Sequence, residues 1–186
     1  EARAWAADEH LPSFEATCAA NLGVLHARAR RIADSLEAFA EAQALYEQAG
    51  DPARAVAIMQ IDRAETLLHH GLVGDAVEEA RHAVQLIEPT GNRVVLADAQ
   101  LMYARALLAT GRSRLAGRAA EVAAVSMAST GRQRMIHQAR AISVEAELAL
   151  AEGVERGTTA VRDALAVADL MRSDGWVQLA STLQAM

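Results

Sequence analysis

A chain of strong helix formers is interrupted by glycine at a nearly fixed interval: Gly50, Gly91, Gly131 and Gly175 stand 41, 40 and 44 residues apart. In "ALYEQAGDPARA", residues 44–55, the interruption has the parts of one helix end and the next helix start. Gly50 suits the left-handed turn that closes a helix, Asp51 can cap the next one, and Pro52 suits a first helical position. "EPTGNRVVLA" repeats the signal at Gly91-Asn92, and "ASTGRQRMIH" repeats it at Gly131. Punctuation at a constant period of this length is the mark of a repeat architecture.

A second break falls roughly midway through each unit, at Arg30-Arg31, Gly71, Gly111, and Gly153 with Gly157. Each unit therefore predicts two helices folded back as a hairpin. The boundaries follow: residues 1–12 end a preceding second helix, 13–50, 51–91, 92–131 and 132–175 are four repeats, and 176–186 open a further helix. Both ends look like parts of neighbouring helices, so the expectation is a segment of a longer array. Placing the four glycines in register aligns small residues in the first helices, Gly23, Ala64, Ala104 and Ala146, and in the second, Ser35, Ala76, Ala116 and Ala160. Small residues there let helix backbones approach closely. Phe39, Ala80, Ala120 and Ala164 follow four residues later, then Ala42, Ala83, Ala123 and Val167, all on one helix face. The last unit needs about two extra residues in "EGVERGTT" to stay in step.

Composition agrees with helix and with little else. Of 186 residues 52% are hydrophobic, enough for a sizeable core, but only 3% are aromatic and period-2 alternation is scarce. No apolar run approaches the roughly 20 residues that span a bilayer, and "EARAWAADEH" lacks a secretory layout. The reading is an all-α cytoplasmic protein without membrane contact. All 18 basic side chains are Arg, which with the alanine excess points to GC-rich bacterial coding. The net charge is -6, yet residues 93–140 hold eight Arg against only Asp98 and Glu121, a candidate docking surface.

No catalytic constellation emerges. Cys18, the only cysteine, lies on a helix face with Phe14 and Leu22 and reads as a small buried hydrophobe; it excludes an intrachain disulfide. His69-His70 point about 100° apart and cannot easily share an ion, so they read as a pair at the negative end of a helix dipole. His10, His26 and His137 lack carboxylate or Cys at ligand spacing, and Glu78-Glu79, one turn before His82, read as a solvated face, so neither metal nor cofactor is expected. "GRSRLAGR" lacks Walker spacing and a preceding strand. Tyr103 is the only aromatic in the arginine-rich segment, which leaves no stacking platform for nucleic acid.

"NLG" at Asn21-Leu22-Gly23, the aligned alanines and Phe39 resemble tetratricopeptide repeats over residues 13–175. The usual tryptophan near the start is missing and the period exceeds the standard 34, as in the long-period repeats of kinesin light chains and some bacterial regulators. The resemblance implies a right-handed α-solenoid of antiparallel hairpins whose first helices line a concave groove. It further implies that Asn21, Asp62, Glu65, Asp98, Arg105, Arg140 and Glu147 face a protein or peptide partner, or a neighbouring domain of a longer chain. For Asn21 a solvated or helix-capping amide is the equal alternative. The Lys and Asn pairs of co-chaperone clamps are absent: their places hold Ala20 and Val24, Ile61 and Glu65, Leu101 and Arg105.

The stretch from "NLGVLHARARR" to "GLVGDAVEEARHAV" also resembles the repeat region beside a CHAT domain, a caspase-like peptidase module of high-GC bacteria. That implies a regulatory or recognition arm, with the catalytic Cys and His elsewhere. The alternative is the sensory arm of a bacterial transcriptional regulator that binds a peptide or small effector.

Overall fold

The computed structural model describes residues 2–50, 53–150, 162 and 165–169. The described residues are helical and contain no strand: α1 Ala2–Asp8, α2 Pro12–Arg28, α3 Ile32–Ala49, α4 Ala53–His69, α5 Val73–Ile87, a 3-10 turn Glu88–Thr90, α6 Arg93–Ala109, α7 Ser113–Ser129 and α8 Gln133–Leu150. The all-α expectation holds for them. Asp51, Pro52, Gly153, Gly157, Ala160, Ala164, Gly175 and the expected helix at 176–186 lie outside the described residues.

One hydrogen-bond pattern ends most of these helices. At the close of α2 the Arg31 N–H donates to the His26 carbonyl (2.9 Å) and the Arg30 N–H to that of Ala27 (2.9 Å). This is the Schellman arrangement, which satisfies two carbonyls that a helix end leaves open. It recurs at His10-Leu11, Gly71-Leu72, Gly111-Arg112 and Gly131-Arg132. The pivot residue must take positive φ, as Gly71 (78°) and Gly111 (73°) do, while His10 (55°) and Arg30 (60°) do so with a Cβ. Asn92 starts α6 differently, its Oδ1 accepting the Val95 N–H at 3.2 Å.

The chain divides into two compact units, residues 1–95 and 96–186. In the first, α2 packs along α3 and α4 along α5, each pair antiparallel across its short turn. Ala16, Ala19, Ala20, Phe39, Ala42, Tyr46 and Met59 form one buried cluster. Gly23 sits against the Phe39 ring so closely that a Cβ there would lie 3.0 Å from three ring carbons. The adjacent Ser35 is fully buried and donates its Oγ–H to the Gly23 carbonyl at 2.7 Å. The close approach expected from this small pair therefore includes a hydrogen bond between helices. Arg63 meets Glu79 at 3.5 Å between α4 and α5.

In the second unit Ala97, Leu101 and Ala104 of α6, Ala120, Ala123 and Met127 of α7, and Ile136, Ala139 and Ile142 of α8 share a core. The Ser126 hydroxyl donates to Gln100 Oε1 at 3.0 Å. α7 also packs against α8 across Gly131, where the repeat register sets a boundary. Of the aligned positions, Ala64, Ala76, Ala80, Ala83, Ala104, Ala116, Ala120, Ala123, Ala146 and Val167 are all buried.

Candidate functional site

Within the first compact unit α2 and α4 lie in direct contact. Their C-terminal halves enclose a cleft of about 380 Å³ lined by Val24, Ala27 and Arg28 from α2, by Asp62, Glu65, Thr66 and His69 from α4, and by His70 just after it. The helical period makes the lining: 24, 27 and 28 share one face, and 62, 65, 66, 69 and 70 share another. A shift of 41 residues, the repeat period, carries Asn21 onto Asp62, Val24 onto Glu65 and Arg28 onto His69. Two of these pairs, Val24 with Glu65 and Arg28 with His69, thus line the same cleft.

The charges are unequal. Burial pushes the Asp62 carboxyl up from its ordinary 3.8 to about 6, the Glu65 charge one turn away adds to the rise, and Arg28 opposes it. His70 Nδ1 lies 2.9 Å from the Thr66 carbonyl oxygen, so this nitrogen carries the proton and donates it. His69 stands exposed at the end of α4. Both histidines occupy the helix terminus expected of them. Among the described residues no cluster of three or more His, Cys, Asp or Glu is arranged to hold a metal ion.

Asp62 and Glu65 of the seven expected contact residues line this cleft. Asn21 is exposed on α2, three residues before Val24 and seven before Arg28, and so extends the same stripe. The other four belong to the second unit. Asp98 pairs with Arg132, tying α6 to the turn before α8. Arg105 is half-buried and already engaged within the chain. Arg140 and Glu147 are exposed on one face of α8. Arg28, Thr66, His69 and His70 line the cleft without having been singled out as contact residues. The repeat offset that joins 28 to 69 was the signal that could have found two of them.

Cys18 is half-buried rather than buried, and its neighbour Phe14 is exposed and packs edge-on against Trp5, ring centroids 6.0 Å apart. Arg93, Arg112, Arg114, Arg118 and Arg140 of the arginine-rich segment are exposed. Among the described residues no helix is long and apolar enough to cross a membrane. No model of a known protein family matches the chain, and no curated protein matches it.

Proposed function

We propose that the chain is a non-catalytic scaffold that binds a peptide or protein segment along a right-handed solenoid of tetratricopeptide-like hairpins in the bacterial cytoplasm. In the same reading it is the regulatory or recognition arm of a larger CHAT-type protein, and its partner is a separate protein or a neighbouring domain. One observation carries this: repeat-equivalent helices α2 and α4 run side by side, and residues one period apart line a shared cleft. Stacked repeats present equivalent side chains along one surface, which is how such arrays read an extended segment.

The test is a peptide-display selection on the intact chain, followed by titration of Asn21→Ala and Arg140→Glu. Both side chains are exposed, so the fold should survive their replacement. A selected segment is expected to bind at micromolar concentration and to lose about tenfold in affinity, on the order of 1.4 kcal/mol, on at least one substitution. Binding indifferent to both, or no selected segment, would remove the groove reading.

The size of the cleft supports a second reading, the sensory arm of a transcriptional regulator, because small-molecule sites begin at roughly 300 Å³. Sequencing the gene beyond Met186 separates the two. A Cys/His-bearing α/β module favours the CHAT arm, and a helix-turn-helix or NTPase module favours the sensor.

A further inference from the structure

Leu115, Arg118, Val122 and Val125 follow one another on α7 at spacings of three, four and three residues, which lays them along one side of the helix over about 15 Å. Leu115 (50%), Val122 (49%) and Val125 (72%) are exposed, and so is Arg118. Arg114 is exposed on the same face and Arg112 in the turn before it, so this end of the helix carries three guanidinium groups against the single carboxylate of Glu121. Among the described residues no carboxylate pairs with any of the three. A shift of 40 residues, the interval from Gly91 to Gly131, carries Asp75, Glu78, His82 and Gln85 of α5 onto Leu115, Arg118, Val122 and Val125. All four α5 residues are exposed, and water is a sufficient cover for them. On α7 a leucine and two valines stand where α5 holds a carboxylate, an imidazole and an amide, and an aligned apolar stripe with a charged border is the composition of a contact surface.

We infer that the outer face of α7 docks an amphipathic helix of a partner protein, one with aliphatic side chains at heptad spacing flanked by Asp or Glu. The alternating three- and four-residue spacing selects a helix, because a second helix lays its own apolar seam along such a stripe turn by turn, whereas a strand presents a side chain to one face every second residue. The charge selects the flanks: carboxylates meet Arg114 and Arg118, and a basic helix meets like charge. The whole chain has a net charge of -6, so an acidic segment has no general attraction to it and must be held by this local excess of arginine. The surface belongs to the second unit and needs nothing from the α2–α4 cleft.

The experiment titrates the intact chain with a helical peptide of three Glu-Ile-Ala-Ala-Leu-Glu-Ala heptads, following the backbone amides of α7 by NMR at about 0.15 M salt. The same peptide with Lys in place of every Glu is the control. The expected result is saturable shifts along α7, with the acidic peptide at least about tenfold tighter there than the basic one and weakened several-fold at about 0.5 M salt. Val125→Asp should abolish the shifts. Arg114→Glu with Arg118→Glu should transfer the preference to the lysine peptide, an outcome that unfolding cannot produce. All three substituted side chains are exposed, and helical content by circular dichroism checks that the variants fold. No binding of the acidic peptide at α7, equal affinity for the two peptides, an unchanged preference in the arginine variant, or shifts in α2 and α4 instead would each overturn the inference. Sedimentation of the chain alone is expected to show a monomer; a dimer that Val125→Asp dissociates would make a second copy the occupant of this face and would overturn it as well.

Discussion

Asp62 holds its proton more tightly in the folded chain than in the unfolded one, and this has a consequence for stability. Between pH 4 and pH 6 the unfolded carboxyl is ionised while the folded one still carries a proton, so folding loses stability as pH rises through that window. Asp62→Asn removes the loss. The variant should match the wild type near pH 4 and exceed it by about 1 kcal/mol at pH 7.5, a figure reduced from the full shift because the carboxyl is only partly shielded from solvent. Denaturant midpoints at the two pH values check it; a variant less stable at pH 7.5 would show that Asp62 is held by a favourable contact. Sequence made Asp62 and Glu65 visible as polar residues on a first helix. It left Arg28 in the shade, because nothing local marks an arginine at a helix end as the neighbour of residue 69. The 41-residue offset links the two positions, and the packing of α2 on α4 brings them to one cleft. Asp98 illustrates the reverse: its place on a helix face was legible, and its bond to Arg132, 34 residues away, was not.

Where a helix stops, the chain repeats one solution with different residues. Gly71 and Gly111 occupy the left-handed position for which glycine has no steric cost, and Arg30 occupies the same position between α2 and α3. A side chain there costs about 1–2 kcal/mol. Arg30→Gly should therefore stabilise the chain by about 0.5–1 kcal/mol, after allowing for the greater freedom that glycine gives the unfolded state. The change is legible in a thermal or urea transition, and a loss of stability would mean that the Arg30 side chain holds a contact worth more than the strain. Glycine made five of the described breaks plain in the sequence, at Gly50, Gly71, Gly91, Gly111 and Gly131. Spacing alone suggested the one at Arg30-Arg31, and the turn at His10 carried no glycine to announce it. The Cys18 face went astray for a related reason: reading Phe14 as its buried companion ignored α1, whose Trp5 draws Phe14 into an exposed aromatic pair.

At the scale of the molecule, two compact units raise the question of how far damage in one is felt in the other. Phe39 is fully buried and is one of the few large side chains in the first core. Phe39→Ala should cost about 3–5 kcal/mol locally. Phe39 packs with residues of α2, α3 and α4, so hydrogen exchange should reveal lost protection there, with α7 and α8 of the other unit little changed. Equal loss throughout would mean that the chain unfolds as one cooperative body. All-helical character and the run of buried small positions were legible because a 3.6-residue period and a 40-residue period reinforce each other. The arrangement of the hairpins was not, since alanine at a contact fixes a distance and says little about direction. The alanine interior has one more effect. Ala fixes no rotamer on folding, so these contacts form at almost no side-chain entropy cost. A methyl group also has no alternative position to swing into when a neighbour grows. Substitution should therefore accumulate at the turns and on the charged faces, leaving the packed seams among the slowest parts of this sequence to change.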